Sequence, residues 1–171
     1  AALAPLEAAE TGYDSARRPV TTRLVAGGAT HALTQTGYDS AGRVECVAQR
    51  MDPADFASAL PGACTLTTPS GGFGPDRIAR TVYDDAGQVT KVRTALGIAG
   101  EEVDALTQGH TPNGQVAWVV DGENNLTEYA YDGHDRLAKM IFPSPPKGAG
   151  ASNPCQYEQL GYEVTSGGTG T

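Results

Sequence analysis

Aromatic side chains make up only 6% of the 171 residues, and the apolar fraction is 39%. That is lean for a chain long enough to bury a sizeable core as one domain. It suits a thin repeat, in which each unit touches only its neighbours. Positive charge is also short. Twelve Lys and Arg against 20 Asp and Glu leave a formal net charge of −8. Nucleic-acid binding needs clustered cations that displace counterions, so that class is excluded. Docking on an anionic membrane is disfavoured for the same reason. No apolar run approaches the ~18–20 residues of a membrane span, so no membrane insertion is expected. There is no signal-peptide apolar core, and Ala1 opens the chain without Met. The sequence therefore reads as a processed piece or a segment of something longer. Cysteines number three, too scattered for a zinc pattern.

Glycine and proline, by contrast, are plentiful, at 22 and 11. They punctuate many short segments, as in an all-β chain. The organising unit is Gly37-Tyr38-Asp39-Ser40-Ala41-Gly42-Arg43-Val44. Asp39 suits the first position of a type I turn, because its carboxylate can accept hydrogen bonds from N–H groups just ahead. Gly42 supplies the left-handed residue that returns the chain as a hairpin with a bulge. The phrase recurs as Tyr83-Asp84-Asp85-Ala86-Gly87-Gln88-Val89. Tyr13-Asp14 begins a copy with Arg17 at the glycine position, and Tyr131-Asp132 begins one with Asp135 there and Arg136 following. His110 to Val116 keeps the turn at Gly114 without the Tyr-Asp, and Tyr162-Glu163 closes the series. The period is about 20–30 residues with one large insertion, the range of a repeat architecture.

These residues resemble the YD repeat of bacterial rearrangement-hotspot (RHS) proteins, wall-associated proteins, insecticidal toxin-complex shells and animal teneurins. The likeness spans roughly residues 11–164, with an insert at 51–76 that also looks like one seen in RHS proteins. It implies an all-β ribbon of tandem hairpins that coils into a hollow shell, often around a toxin, in an exported or surface-displayed bacterial protein. The self-cleavage motif of such proteins is missing: Asp52-Pro53 is the only Asp-Pro and lies inside the insert. Neither an autoprotease nor a toxin domain carries over, and about five repeats are too few to close a shell.

In chain order, Ala1–Glu10 shows no strand pattern and could be a short helix or an arm. Strands are expected at 19–25, 30–38, 44–48, 77–84, 89–96, 103–109, 115–120, about 127–131, 137–142 and 157–165. Asp52 as a cap with Pro53 behind it predicts one short helix over 53–60. Asp121 to Asn125 is a tight hairpin loop, and Pro143-Ser144-Pro145-Pro146 an extended connector. The tail Ser166 to Thr171 is Gly- and Thr-rich, and of a kind normally mobile; if ordered, it must be held by another chain or by more of its own. Cys46 and Cys64 bracket the helix, 18 residues apart. They are either a disulfide, in an oxidising compartment, or two buried thiols. Cys155 has no partner by count.

Chemistry is hard to assemble from what remains. His31, His110 and His134 sit at or beside turns, with no triad order or spacing. Asp121 to Asn125 lacks calcium-loop spacing, and Gly71 to Gly74 lacks the Lys of a phosphate loop. No metal site or cofactor is expected. Tyr13, Tyr38, Tyr83 and Tyr131 are expected to stack as a ladder holding hairpins in register; Trp118 or Tyr129 could instead stack on a sugar. Three functions remain. The first is a non-enzymatic scaffold or shell segment, whose partners are other repeats, copies of itself or a toxin cargo. The second is an adhesive, glycan-binding module. The third is an enzyme whose catalytic part lies elsewhere.

Overall fold

A computed structural model describes residues 7–57, 59–69 and 72–162. Among them are eleven strands and one short 3-10 helix, and the strands follow in the sheet in chain order, β1 to β11. Every hairpin is antiparallel, so each strand bonds to the one before and the one after it. The chain divides into two compact units, Ala1–Ala105 and Leu106–Thr171, with the boundary inside β7.

The first unit holds β1 (Glu7–Tyr13), β2 (Pro19–Ala26), β3 (Ala29–Tyr38), β4 (Val44–Arg50), β5 (Arg77–Tyr83) and β6 (Val89–Thr94). β1 corrects the expected arm, because residues 7–10 are strand. Ala8 pairs with Val25 and Glu10 with Arg23, so the backbone ladder, not an apolar pattern, makes this edge a strand. β4 alternates cleanly, with Cys46, Ala48 and Arg50 buried and Val47 and Gln49 exposed. The register Leu33↔Arg50, Gly37↔Cys46 and Ala48↔Ile78 puts those residues on one face of three strands. The insert between β4 and β5 covers that face. Its helix runs only over Pro53–Ala57 and is 3-10, as the Asp55 N–H to Asp52 carbonyl bond of 3.1 Å requires. Buried Phe56 and Ala63, with Cys46, Ala48 and Ile78, form the core of this unit.

The second unit comprises the end of β7 (Val103–His110), β8 (Val116–Asp121), β9 (Leu126–Tyr131), β10 (Leu137–Pro143) and β11 (Ser152–Gln159). None of its described residues is fully buried. The expected extended connector is instead a turn over residues 145–148, and Ser144 N–H to Ala151 carbonyl, 2.8 Å, closes it. The last strand therefore starts at Ser152, five residues earlier than expected. Pro154 lies within it at the register shift between Ile141 and Pro143, where residues 153–156 have no partner on β10. The tail from Ser166 to Thr171 and the residues 163–165 lie outside the described residues.

Candidate functional site

One turn is built repeatedly. In Asp39–Arg43 the Asp39 N–H donates to the Arg43 carbonyl at 2.9 Å and Gly42 N–H returns to the Asp39 carbonyl at 3.0 Å. The Asp39 carboxylate accepts from the N–H groups of Ala41 and Arg43, both at 2.9 Å. The same backbone pair of bonds closes Asp14–Arg18, Asp84–Gln88, Thr111–Gln115, Asp121–Asn125 and Asp132–Arg136. The fourth residue is left-handed each time: Gly42, Gly87 and Gly114, but also Arg17, Asn124 and Asp135 at φ of 62°, 63° and 61°. Asp121–Asn125 is thus the repeat turn itself. It stands out of period because it joins β8 to β9, at the opposite end of the strands from the Tyr-Asp turns.

Successive Tyr-Asp hairpins are tied together by a second device. Tyr38 donates its hydroxyl to the Pro19 carbonyl at 2.8 Å, and Tyr83 to the Val44 carbonyl at 2.8 Å. In the second unit Tyr131 does the same to Val116, at 2.8 Å, and Tyr162 to Leu137, at 3.0 Å. Each acceptor opens the outgoing strand of the preceding hairpin or follows its turn. Above each ring lies the arginine that ends that preceding turn: Arg18 over Tyr38 and Arg43 over Tyr83, both at 4.4 Å, and Arg136 over Tyr162 at 4.1 Å. The rings engage guanidinium groups where stacking of ring on ring was expected. Where Gln115 replaces arginine, Tyr131 keeps only its hydroxyl bond. Tyr13 heads the series, is 62% exposed, and has no such partner among the described residues.

The arginines are held from below by the turn carboxylates. Arg43 Nε lies 2.7 Å from Asp39 Oδ2, and Arg136 Nε 2.8 Å from Asp132 Oδ2. The Arg136 guanidinium, then its backbone N–H, pulls Asp132 down to about 2. Asp39 is lowered too, first by the Arg43 N–H and then, against partial desolvation, by its side chain. These pairs are largely solvated, so they set geometry more than they add stability. At β6–β7 Asp104 is held at about 2 by Arg93 and then Lys91, each 2.7 Å away.

The insert is fastened at two points. Cys46 and Cys64 are disulfide-bonded, with Cα atoms 5.3 Å apart. Beside them Arg50, buried, donates to Gln35 Oε1 through Nε and Nη2 and to Asp76 Oδ2 through Nη1, at 3.0, 2.6 and 2.7 Å. It also reaches the carbonyls of Thr65 and Gly62, at 2.8 and 3.1 Å. Asp76, equally buried, accepts from Met51 N–H and from the N–H and hydroxyl of Thr67, at 3.0, 2.9 and 2.7 Å. Burial pushes the Asp76 carboxyl up, but the Thr67, Arg50 and Met51 bonds outweigh it and hold it below the usual range. Gly37 belongs to the same arrangement: a Cβ there would lie 3.2 Å from Ala63 Cβ, so glycine lets the insert lie against β3.

Of the residues singled out in the sequence, Tyr38, Asp39, Gly42, Arg43, Tyr83, Tyr131, Asp132 and Arg136 are joined by these bonds, as are Cys46 and Cys64. Asp14, Asp84, Gly87 and Gly114 build turns. Trp118 and Tyr129, the two alternative stacking rings, lie on opposite faces of the sheet. Trp118 pairs with Glu128, so Tyr129, the next residue, faces the other side of the sheet. The indole lies on Gly109, where a Cβ would come within 2.4 Å of Nε1. Arg18 as a ring lid was not among the residues singled out, although the Asp-x-x-x-Arg spacing at Asp14, Asp39 and Asp132 was its signal. Nor were Gln35, Arg50, Thr67 and Asp76, for which no local signal existed. Cys155 is an exposed free thiol. No group of three or more metal-ligating side chains occurs among the described residues.

No protein family matches the chain, and no curated protein matches it in sequence. Among solved structures it is similar to a chain in the crystal structure of TcdB2-TccC3-Cdc42, with 13% identity and a TM-score of 0.36. That match covers 80% of this chain and 9% of the other. It is also similar to a chain of the Photorhabdus luminescens Tc holotoxin pore carrying a mutated TccC3, with 14% identity and a TM-score of 0.37. There it covers 81% of this chain and 9% of that one. The chain therefore spans less than a tenth of the length of each, and at these scores neither likeness bears on what it does.

Proposed function

We propose that this chain is a non-enzymatic structural segment of an exported, RHS-type YD-repeat protein, forming part of a β-wall associated with a toxin cargo. The observation that carries this reading is the repeated link from one hairpin to the next: tyrosine hydroxyl to the preceding carbonyl, arginine over the ring. Side chains so used are spent on register, and the product is a surface. Tyr13 and the outer edge of β1 offer the same link and the same backbone ladder to a further hairpin. A glycan-binding module is the weaker reading, because Trp118 and Tyr129 face opposite sides.

The test is sedimentation velocity over a concentration series, on the whole chain and on Ala8→Lys, which adds charge to the β1 edge. The scaffold reading expects association that the edge lysine weakens. A chain that stays monomeric at high concentration and binds on a glycan array would overturn it.

A further inference from the structure

The face of β4 and β5 opposite the buried Cys46 and Ala48 carries a cavity of about 630 Å³, bounded on one side by the end of the insert, within the ~300–1,000 Å³ of small-ligand sites. Its floor is Val47 and Ala79, which pair across the two strands. Its walls are Phe73, from the end of the insert, and Ile98, from the loop after β6. Phe73 is 51% exposed although nothing in its sequence setting requires a ring at the surface. Arg77 and Glu101, both exposed, are among its lining residues. Neither side chain makes an ion pair or hydrogen bond among the described residues, although both are charged and line the same cavity.

We propose that this cavity binds a short, extended peptide segment through two bulky apolar side chains. The apolar floor and walls take the side chains. These two charges discriminate between apolar ligands. A fatty carboxylate would satisfy Arg77 but bring its charge toward Glu101. A peptide backbone carries C=O and N–H groups side by side, so Arg77 donates to one and Glu101 accepts from the other. β4 is already bonded by β3 and β5, so the segment cannot join the sheet as a strand; side-chain anchoring is the mode left to it. This site goes beyond the scaffold role, and its failure would leave that role untouched.

The experiment is fluorescence anisotropy on the whole, disulfide-intact chain, with Gly-Leu-Phe-Leu amide dye-labelled at its N-terminus. Saturable binding is expected, with Gly-Ser-Ser-Ser amide and decanoate failing to compete. Ala79→Trp fills the floor and should weaken binding at least tenfold. Arg77→Gln removes one charged donor and should weaken it about fivefold. Amide chemical-shift changes in the unmutated chain, expected at Val47, Ala79 and Ile98, locate the site independently of either variant. Absence of saturable binding, shift changes elsewhere, or displacement by decanoate would each overturn the proposal.

Discussion

The guanidinium of Arg43 lies 4.4 Å from the centre of the Tyr83 ring, although β4 and the whole insert come between them in the chain. The same arginine is clamped by Asp39 of its own turn, and its Nη1 donates to the Asp84 carbonyl at 3.3 Å. Tyr83 in turn donates to Val44, the residue after Arg43. Turn chemistry in one hairpin is thereby coupled to the register of the next. Tyr83→Phe keeps the ring and loses the hydroxyl bond, so it should cost about 1 kcal/mol. Tyr13→Phe should cost nothing measurable, since Tyr13 has no such acceptor among the described residues. Urea denaturation of the two variants checks the contrast.

Arg17 holds a left-handed conformation that favours glycine, at φ 62°. A Cβ there costs roughly 1–2 kcal/mol. Arg17→Gly should therefore raise stability by about 1 kcal/mol, part of the gain being offset by the freedom glycine adds to the unfolded chain. Gly42→Ala should lower stability by a similar amount. Thermal melts of both variants should shift in opposite directions.

The two fastenings of the insert are separable. Cys46→Ala with Cys64→Ala opens a loop whose closure is worth about 3 kcal/mol in the chain-entropy account. Arg50 should nonetheless keep the insert seated. Asp76→Ala leaves the Arg50 charge buried and unpaired, and should cost about 3–5 kcal/mol. Limited proteolysis should cut within residues 51–76 in the Asp76 variant far faster than in the double cysteine variant. Equal cutting in both would show that the buried pair fastens nothing.

Acid should weaken the fold in a defined window. Asp132 and Asp104 are held at about 2, below the ordinary 3.8. A depressed carboxylate contributes fully above its unfolded value and loses that contribution as pH falls through the folded one. Stability should thus be flat above about pH 5 and decline from there toward pH 2, on thermal melts across that range. Asp132→Asn should make the decline shallower, and a decline of unchanged steepness would assign it to other groups.

How much of this was legible depended on how local the chemistry is. The Tyr-Asp hairpins were readable because Asp39 bonds the backbone two and four residues ahead, all within one short phrase. Asp121–Asn125 makes the same bonds, but Asn124 replaces glycine and the turn lies at the other strand end, so it read as a tight hairpin loop and not as a copy of the repeat turn. β1 was hidden because pairing with β2, not an apolar alternation, creates it. The early start of β11 at Ser152 was hidden because its register with β10 shifts between Ile141 and Pro143. The Arg50 centre was illegible because its partners lie 11 to 26 residues away and share no motif. Only the fold brings Gln35, Thr67 and Asp76 to it.

Nuclear Overhauser contacts from the tyrosine rings read the ladder most directly in solution. The rings of Tyr38, Tyr83 and Tyr162 should show cross-peaks to the side-chain methylenes of Arg18, Arg43 and Arg136, with none of that kind for Tyr13. Rings that contact only residues of their own hairpins would contradict it.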